Sequence, residues 1–306
     1  PRSSAALCSS VISLGPRLAA MDNECTSPIL LCNSVPPMFD LEQHGPDTFV
    51  GQGPRYPWGG LYGGQIVAQA LRAAAFSVEP AAVPHSIRAY FIRRGDHDEP
   101  VRYEVDRIRN GRSFTTRRVV ARQAIGAILN AECSFQAAEP SREIQTVVAP
   151  EVPTHDGVDD TSFSEHFARC GVHVVSAGTA PRAGSGRTTA WMRVLDPCPR
   201  DDTAAAALLD QCWLAYLSDD LATDAVRSAY VEQDPDAPTD QFTGVSLDHT
   251  VWFHRPMEAD RWHLHDVSCH HFAGARGLSV GHVFDGDGHH TATYAQEVLL
   301  RLRRAD

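Results

Sequence analysis

Lysine is absent from the 306-residue chain: all 27 residues in the Lys-plus-Arg count are arginine. That excludes Schiff-base chemistry and a phosphate loop built on a lysine; a GC-rich coding sequence is the plain explanation. Paired cysteine motifs are lacking too. The eight cysteines are scattered, with no CxxC, so the thiols read as reduced and mostly buried, in a reducing, cytoplasmic compartment. No apolar run approaches a membrane span, so no membrane partner is expected. Positive charge is in deficit. A net charge of -11 argues against a nucleic-acid partner held by phosphate contacts, though it leaves room for a local arginine patch around a phosphorylated ligand. With 43% hydrophobic and 21% charged residues, the composition is that of a soluble globular protein, long enough for two domains. Residues 1–20 carry Arg, Ser and Ala but no acid, as in a targeting peptide. Met21 opens the acidic MDNE and reads rather as an alternative start, with residues 1–37 as a partly disordered N-terminal extension.

The richest stretch is Gly244 to Pro256, GVSLDHTVWFHRP. Its β-branched and aromatic residues between a glycine and Arg-Pro predict one strand. Regular alternation puts Val245, Leu247, Val251 and Phe253 on one face and Ser246, Asp248, Thr250 and Trp252 on the other. Asp248 and His249 therefore diverge and make a poor catalytic dyad.

Upstream, Thr48–Val50 predicts a short strand, and the Gly- and Pro-free, alanine-rich run from Gln65 to Phe76 predicts a buried helix. Strands follow at 85–93, 100–108, 113–122 and 127–136, with Asn110-Gly111 as a hairpin turn. Prolines and acids make residues 138–162 a linker. Val172–Ser176 and Thr189–Val194 read as strands separated by a Gly178–Gly186 loop. Asp201-Asp202-Thr203 caps a helix running to about Leu217, and residues 232–243 form a polar loop. Further strands are expected at 261–270, 277–285 and 291–300, the last two joined by Asp285-Gly-Asp-Gly288.

The chain repeats itself. A helix, HSIRAYFIRRG and three strands ending in AECSFQ are echoed by a helix, VSLDHTVWFHRP and three strands ending in TATYAQ. Two α+β units, each a long helix against an antiparallel sheet, point to a tandem duplication: residues 38–137 and 163–306.

In the first unit LYGGQIVAQAL, HSIRAYFIRRGD, RNGRSFTTRRV and CSFQ, and in the second AYLSD, SLDHTVWFHRP, ARGL and AQE, resemble the type II acyl-CoA thioesterases. The resemblance covers roughly residues 40–300. It implies a double hotdog, two helices each wrapped by an antiparallel sheet, the sheets continuous across a pseudo-twofold. It also implies hydrolysis of acyl-CoA to fatty acid and coenzyme A without metal, cofactor or covalent intermediate. By their motifs, Asp219, Ser246 and Gln296 match the family's three water-holding residues. A homo-oligomer is expected, because such units leave sheet edges and apolar strand faces.

The residues make chemical sense beside that likeness. Gln296 shares a strand face with Ala292, Tyr294, Val298 and Leu300, so its amide needs buried partners, whereas Gln136 falls on the outward face of its strand. Asp219 sits at a break between helical segments, where a carboxylate could take a water proton. Gly63 and Gly64 offer helix-start N–H groups to polarise a carbonyl. Arg93, Arg94, Arg109, Arg112 and Arg255 are candidates for the phosphates of coenzyme A. The plainer readings are a helix cap for Asp219, an ordinary strand serine and a glutamine satisfying backbone. A Ser246–His triad lacks flanking elbow glycines. His263 and His265 stand at metal-ligand spacing near His270-His271 but lack a third ligand set. Asp285-Gly-Asp-Gly is a hairpin turn rather than a calcium loop. The competing functions are a hotdog hydratase or dehydratase and a non-catalytic acyl-CoA-binding protein.

Overall fold

Helix α1 (Gly63–Ala75) is buried almost all round, which its small side chains permit and its two internal glutamines then have to satisfy. Gln69 does so by donating to Met38 O at 2.7 Å and Gln52 O at 2.8 Å while accepting from Tyr103 Oη at 2.6 Å. These bonds pin the incoming chain to the helix. The computed structural model describes residues 35–174, 186–196, 198–200, 202–237 and 242–302. The expected N-terminal extension up to residue 34, most of the Gly178–Gly186 loop and Asp201 lie outside the described residues.

One 13-stranded sheet carries the fold. Its first six strands are β1 (Glu42–Gly45), β2 (Thr48–Gly51), β3 (Ala82–Phe91), β4 (Val101–Asn110), β5 (Phe114–Gln123) and β6 (Gly126–Ala137). The rest are β7 (Phe167–Val172), β8 (Arg187–Val194), β9 (Phe242–Ser246), β10 (Asp248–Phe253), β11 (His263–Ala273), β12 (Arg276–Phe284) and β13 (His290–Leu302). The order is β1-β2-β4-β5-β6-β3-β10-β13-β12-β11-β8-β7, with β9 also on β13, and every pairing is antiparallel. Read outward from the β3–β10 seam, β6, β5 and β4 on one side answer to β13, β12 and β11 on the other. At the seam Ile87 faces Val251, both fully buried.

Helix α2 (Thr203–Leu217) follows the predicted bounds, with the Asp202 carboxylate accepting from Ala204 N at 3.0 Å and Ala205 N at 3.2 Å. Asp202→Ala should cost ~1 kcal/mol, read as a lower denaturant midpoint at unchanged slope. The apolar side chains of α1 and α2 share one core with the inward strand faces, Trp213, Phe135, Tyr103 and Tyr294 among its largest fully buried members. A third helix, α3 (Ala222–Gln233), follows the break at Asp219 and covers Val298 and Leu300.

Two expectations need correction. The strand expected at Val172–Ser176 sits earlier, at β7, where Phe167 and Cys170 pair with Val194 and Trp191; Val175 and Ser176 lie outside the described residues. The single strand expected at Gly244–Pro256 is broken at Leu247 into β9 and β10. Ser246 opposes Val298 while Thr250 opposes Ala295, so this side holds one residue more than its partner, a β-bulge. Leu247 N donates to Glu297 O at 2.8 Å and Asp248 Oδ1 accepts from Glu297 N at 2.7 Å, which seals the bulge. Residues 138–159 form no helix or strand. They lie against β8, β11 and β12, with Trp191 Nε1 donating to Pro153 O at 2.9 Å and Val147, Ala149 and Val152 packed near Leu264 and Phe284.

Candidate active site

The bulge decides the site. Under strict alternation Ser246 and His249 face opposite ways, and Val245 points inward; instead Val245 is exposed and Ser246 turns toward the buried side. Ser246 Oγ and the His249 ring then reach the same amide, that of Gln296, which sits on the inward face of β13 where alternation placed it.

Asp219 comes from a different element. The chain leaves α2 at Ser218, and the stretch to Leu221 turns it into α3. Asp219 Oδ1 accepts from Ser246 Oγ at 3.0 Å, and Gln296 Nε2 donates to Ser246 Oγ at 2.7 Å. Asp219 Oδ2 accepts from Gly64 N at 2.9 Å, so the first turn of α1 is aimed at a carboxylate that follows α2. Asp219, Gln296 and His249 are buried; Ser246 is only partly so. The three residues singled out in the sequence are thus brought together.

The glycines are required here sterically. A Cβ on Gly63 would lie 2.6 Å from Asp219 Oδ2, and one on Gly64 only 2.3 Å from the Tyr216 carbonyl oxygen. Gly64 N–H is spent on Asp219, so it serves the carboxylate and not a free carbonyl pocket. Tyr62 Oη donates to Tyr216 O at 2.9 Å, and Tyr56, Trp58 and Phe163 complete an aromatic wall beside it.

Burial raises the Asp219 pKa to about 7, against the opposing pull of Ser246, Gln296 and the Gly64 N–H, while neighbouring Asp220 raises it further. Asp220 is held up at about 6 by burial even with Arg169 bonded to it at 2.7 Å. Burial pushes His249 down to about 4, so its ring is neutral near pH 7.

His249 is the contact that the strand pattern hid. Its Nδ1 lies 2.6 Å from Gln296 Oε1 and its Nε2 2.7 Å from Ser218 Oγ. The signal was present: His249 shares a face with Val251 and Phe253, and a buried histidine needs partners. Asp248 and His249 diverge as expected, Asp248 bonding backbone.

The arginines separate. Arg94 donates to Trp58 O near the start of α1, on the side of the trio. Arg255 follows β10 at the end away from Ser246 and is ion-paired with Glu143; it is not brought to the trio. Arg93 donates to Ala127 O, and Arg109 stands beside Gly111 at the β4–β5 hairpin. His263 and His265 are buried while His270 and His271 are exposed, so the four do not converge. Asp285 Oδ1 accepts from Asp287 N and His289 N at 3.0 and 2.9 Å within the β12–β13 turn.

Residues 53–136 match the model of the acyl-CoA thioesterase N-terminal domain, and residues 146–300 that of the acyl-CoA thioesterase C-terminal domain. Mouse acyl-coenzyme A thioesterase 8 is 33% identical over 263 residues, 79% of this chain and 81% of its own. The crystal structure of acyl-CoA thioesterase II TesB2 from Mycobacterium marinum superposes with a TM-score of 0.73 at 32% identity, covering 88% of this chain and 98% of that one. A hot dog fold protein of unknown function from Alicyclobacillus acidocaldarius superposes with a TM-score of 0.70 at 22% identity, over 88% of this chain and 98% of its own.

Proposed function

The chain belongs to the acyl-CoA thioesterase family and has its hotdog fold, and from that premise we propose that it hydrolyses fatty acyl-CoA through a water held by Asp219, Ser246 and Gln296. What carries the reading is the contact set itself: a buried carboxylate, a partly buried hydroxyl and a buried amide bonded in series. A thioester is already an activated acyl group, so one oriented water and one base are enough. Ionised Asp219 takes the water proton as the oxygen attacks the carbonyl carbon. Ser246 and Gln296 supply a hydroxyl and an N–H that fix the water's direction of attack. The carbon–sulfur bond then breaks, and coenzyme A leaves as its thiol with the proton Asp219 collected.

In this reading the chain is a double hotdog, residues 38–137 and 163–306 joined by 138–162, with 1–37 as an extension. The symmetric strand order about the β3–β10 seam supports it. Gly63 and Gly64 let α1 approach close enough to hold Asp219, and Arg94 is the arginine best placed for the phosphates of coenzyme A. A homo-oligomer in the cytoplasm completes the proposal. Among the described residues five cysteines are unpaired, and no helix is long and apolar enough to cross a membrane. A dehydratase would need an Asp/His pair to move a carbon-bound proton, and the adjacent Asp248 and His249 point apart.

The test is free-thiol release across a panel of acyl-CoA chain lengths, followed by the pH dependence of kcat/KM on the best substrate. Only ionised Asp219 can act as the base. With its pKa near 7, kcat/KM should fall ~tenfold per pH unit below that value and level off above it. A rate that is flat from pH 5 to 8 would remove Asp219 as the base.

A further inference from the structure

We infer that His249 is a positioning residue, whose ring, held in the Nδ1–H tautomer by Ser218, fixes the direction of the Gln296 amide. The inference rests on the water-holding role proposed above. Proton counting carries it. An ionised Asp219 only accepts: from Gly64 N–H at Oδ2 and from Ser246 at Oδ1. Ser246 has one hydroxyl proton, so once that goes to Asp219 its oxygen must accept from Gln296 Nε2 at 2.7 Å. The other end of the amide, Oε1, then faces His249 Nδ1 at 2.6 Å, and that nitrogen must carry the hydrogen. A neutral imidazole so protonated has a bare Nε2, which accepts from Ser218 Oγ at 2.7 Å. The chain is closed and every member has one consistent role.

Nothing in the shape of an amide enforces this. Rotated by half a turn, Gln296 occupies the same space but sets Oε1 against the Ser246 oxygen. Only the partners choose, and the partner at the far end is His249. Ser218 Oγ also lies 3.1 Å from Ala215 O, a longer contact than the 2.7 Å to His249 Nε2, and its single proton goes to the nearer acceptor. Were that proton given to Ala215 O instead, His249 would have to donate from Nε2, leaving Nδ1 bare and favouring the flipped amide. The sequence Ser218-Asp219 therefore places base and tautomer anchor side by side.

The consequence reaches Asp219. The Gln296 N–H lowers the Asp219 pKa, and a freely flipping amide loses that effect. The other groups facing the carboxylate are Asp220 with its Arg169 partner, Tyr62 and Tyr294; Tyr294 also packs near the His249 ring. Replacing His249 leaves their charges as they are and alters the packing of Tyr294 alone among them.

Two measurements test the inference. Nitrogen-15 NMR of the parent protein's histidine rings between pH 5.5 and 8 should show His249 with hydrogen on Nδ1 and none on Nε2; the opposite tautomer overturns it. His249→Leu removes the donor, whereas His249→Asn keeps an N–H near the Nδ1 position. The Leu variant should lose on the order of 10-fold in kcat, the upper range of the net worth of one neutral hydrogen bond, at unchanged KM. Its acidic limb of kcat should also move to higher pH, and the Asn variant should restore both. An unmoved limb, or an Asn variant no better than Leu, means that the ring only fills space. If neither variant folds, the tautomer in the parent decides. Asp219→Asn, run alongside, separates the two ideas: full activity there ends the role of Asp219 as the base and leaves the tautomer result standing.

Discussion

Asp219→Asn should lower kcat on the order of 10²-fold or more while KM stays within a factor of a few. The substitution keeps the shape and removes the proton acceptor, so the water remains in place without a base. Ser246 and Gln296 would then orient a nucleophile that nothing deprotonates. Stability offers an independent reading of the same side chain. In the unfolded chain an aspartate loses its proton near 3.8, but in the fold Asp219 does so only at about 7. Between those values the native state binds more protons, so this group makes the parent less stable as pH rises. An asparagine has no such slope. The stability of Asp219→Asn relative to the parent should therefore climb from pH 4 to pH 7 and then level, by an amount on the order of a few kcal/mol at most, seen as a rising difference in melting temperature. Loss of activity with that relative stabilisation identifies a carboxylate kept buried for chemistry. Thiol-release kinetics and a pair of thermal melts at pH 4.5 and 8 check both halves. Full turnover in the folded variant would sink the mechanism.

How far the sequence reached follows from which rules each residue obeys. The bounds of α2, and most of the strands up to β6 and from β11 to β13, come from local periodicity and capping, and these lie where the pattern put them. Gln296 was found by alternation because β13 runs unbroken past it. Alternation puts Ser246 and His249 on opposite faces because it assumes one residue per step, and the bulge at Leu247 inserts an extra one. A bulge leaves little mark on composition: GVSLDH reads as ordinary strand. The bond from Gly64 N–H to Asp219 was illegible for another reason. It joins residues far apart in sequence, and depends on how closely two helix ends approach. That the pair of glycines sits at a helix start was visible; that they face a carboxylate that follows α2 was not. Arg255 failed in a third way. Charge alone nominated it, and only the sheet's geometry puts it at the distant end of β10 beside Glu143.

Gly64→Ala should cripple the enzyme without touching any of the three water-holding side chains. The first turn of α1 lies against the last turn of α2, and the Gly64 Cα faces the Tyr216 carbonyl so closely that an added methyl would sit 2.3 Å from that oxygen. The obstacle is backbone inside a helix, which cannot rotate away, so α1 itself must move. The Gly64 N–H is bonded to Asp219 Oδ2 at 2.9 Å, and a shift of an ångström or so breaks that bond. Two effects follow in the same direction. The loss of an N–H donor removes one of the groups that hold the Asp219 pKa down, so the acidic limb of kcat/KM should move to higher pH. The displaced carboxylate also misaligns the water, and an ångström of misplacement can cost ~10²-fold. Overpacking should lower stability by ~1–3 kcal/mol, leaving the protein folded if its margin is ordinary. Raising the pH should therefore recover part of the activity of Gly64→Ala but none of the deficit of Asp219→Asn. The two variants, compared at pH 7 and pH 9, distinguish a base that is badly held from a base that is missing. Equal deficits at both pH values in Gly64→Ala would show that the glycine serves packing alone.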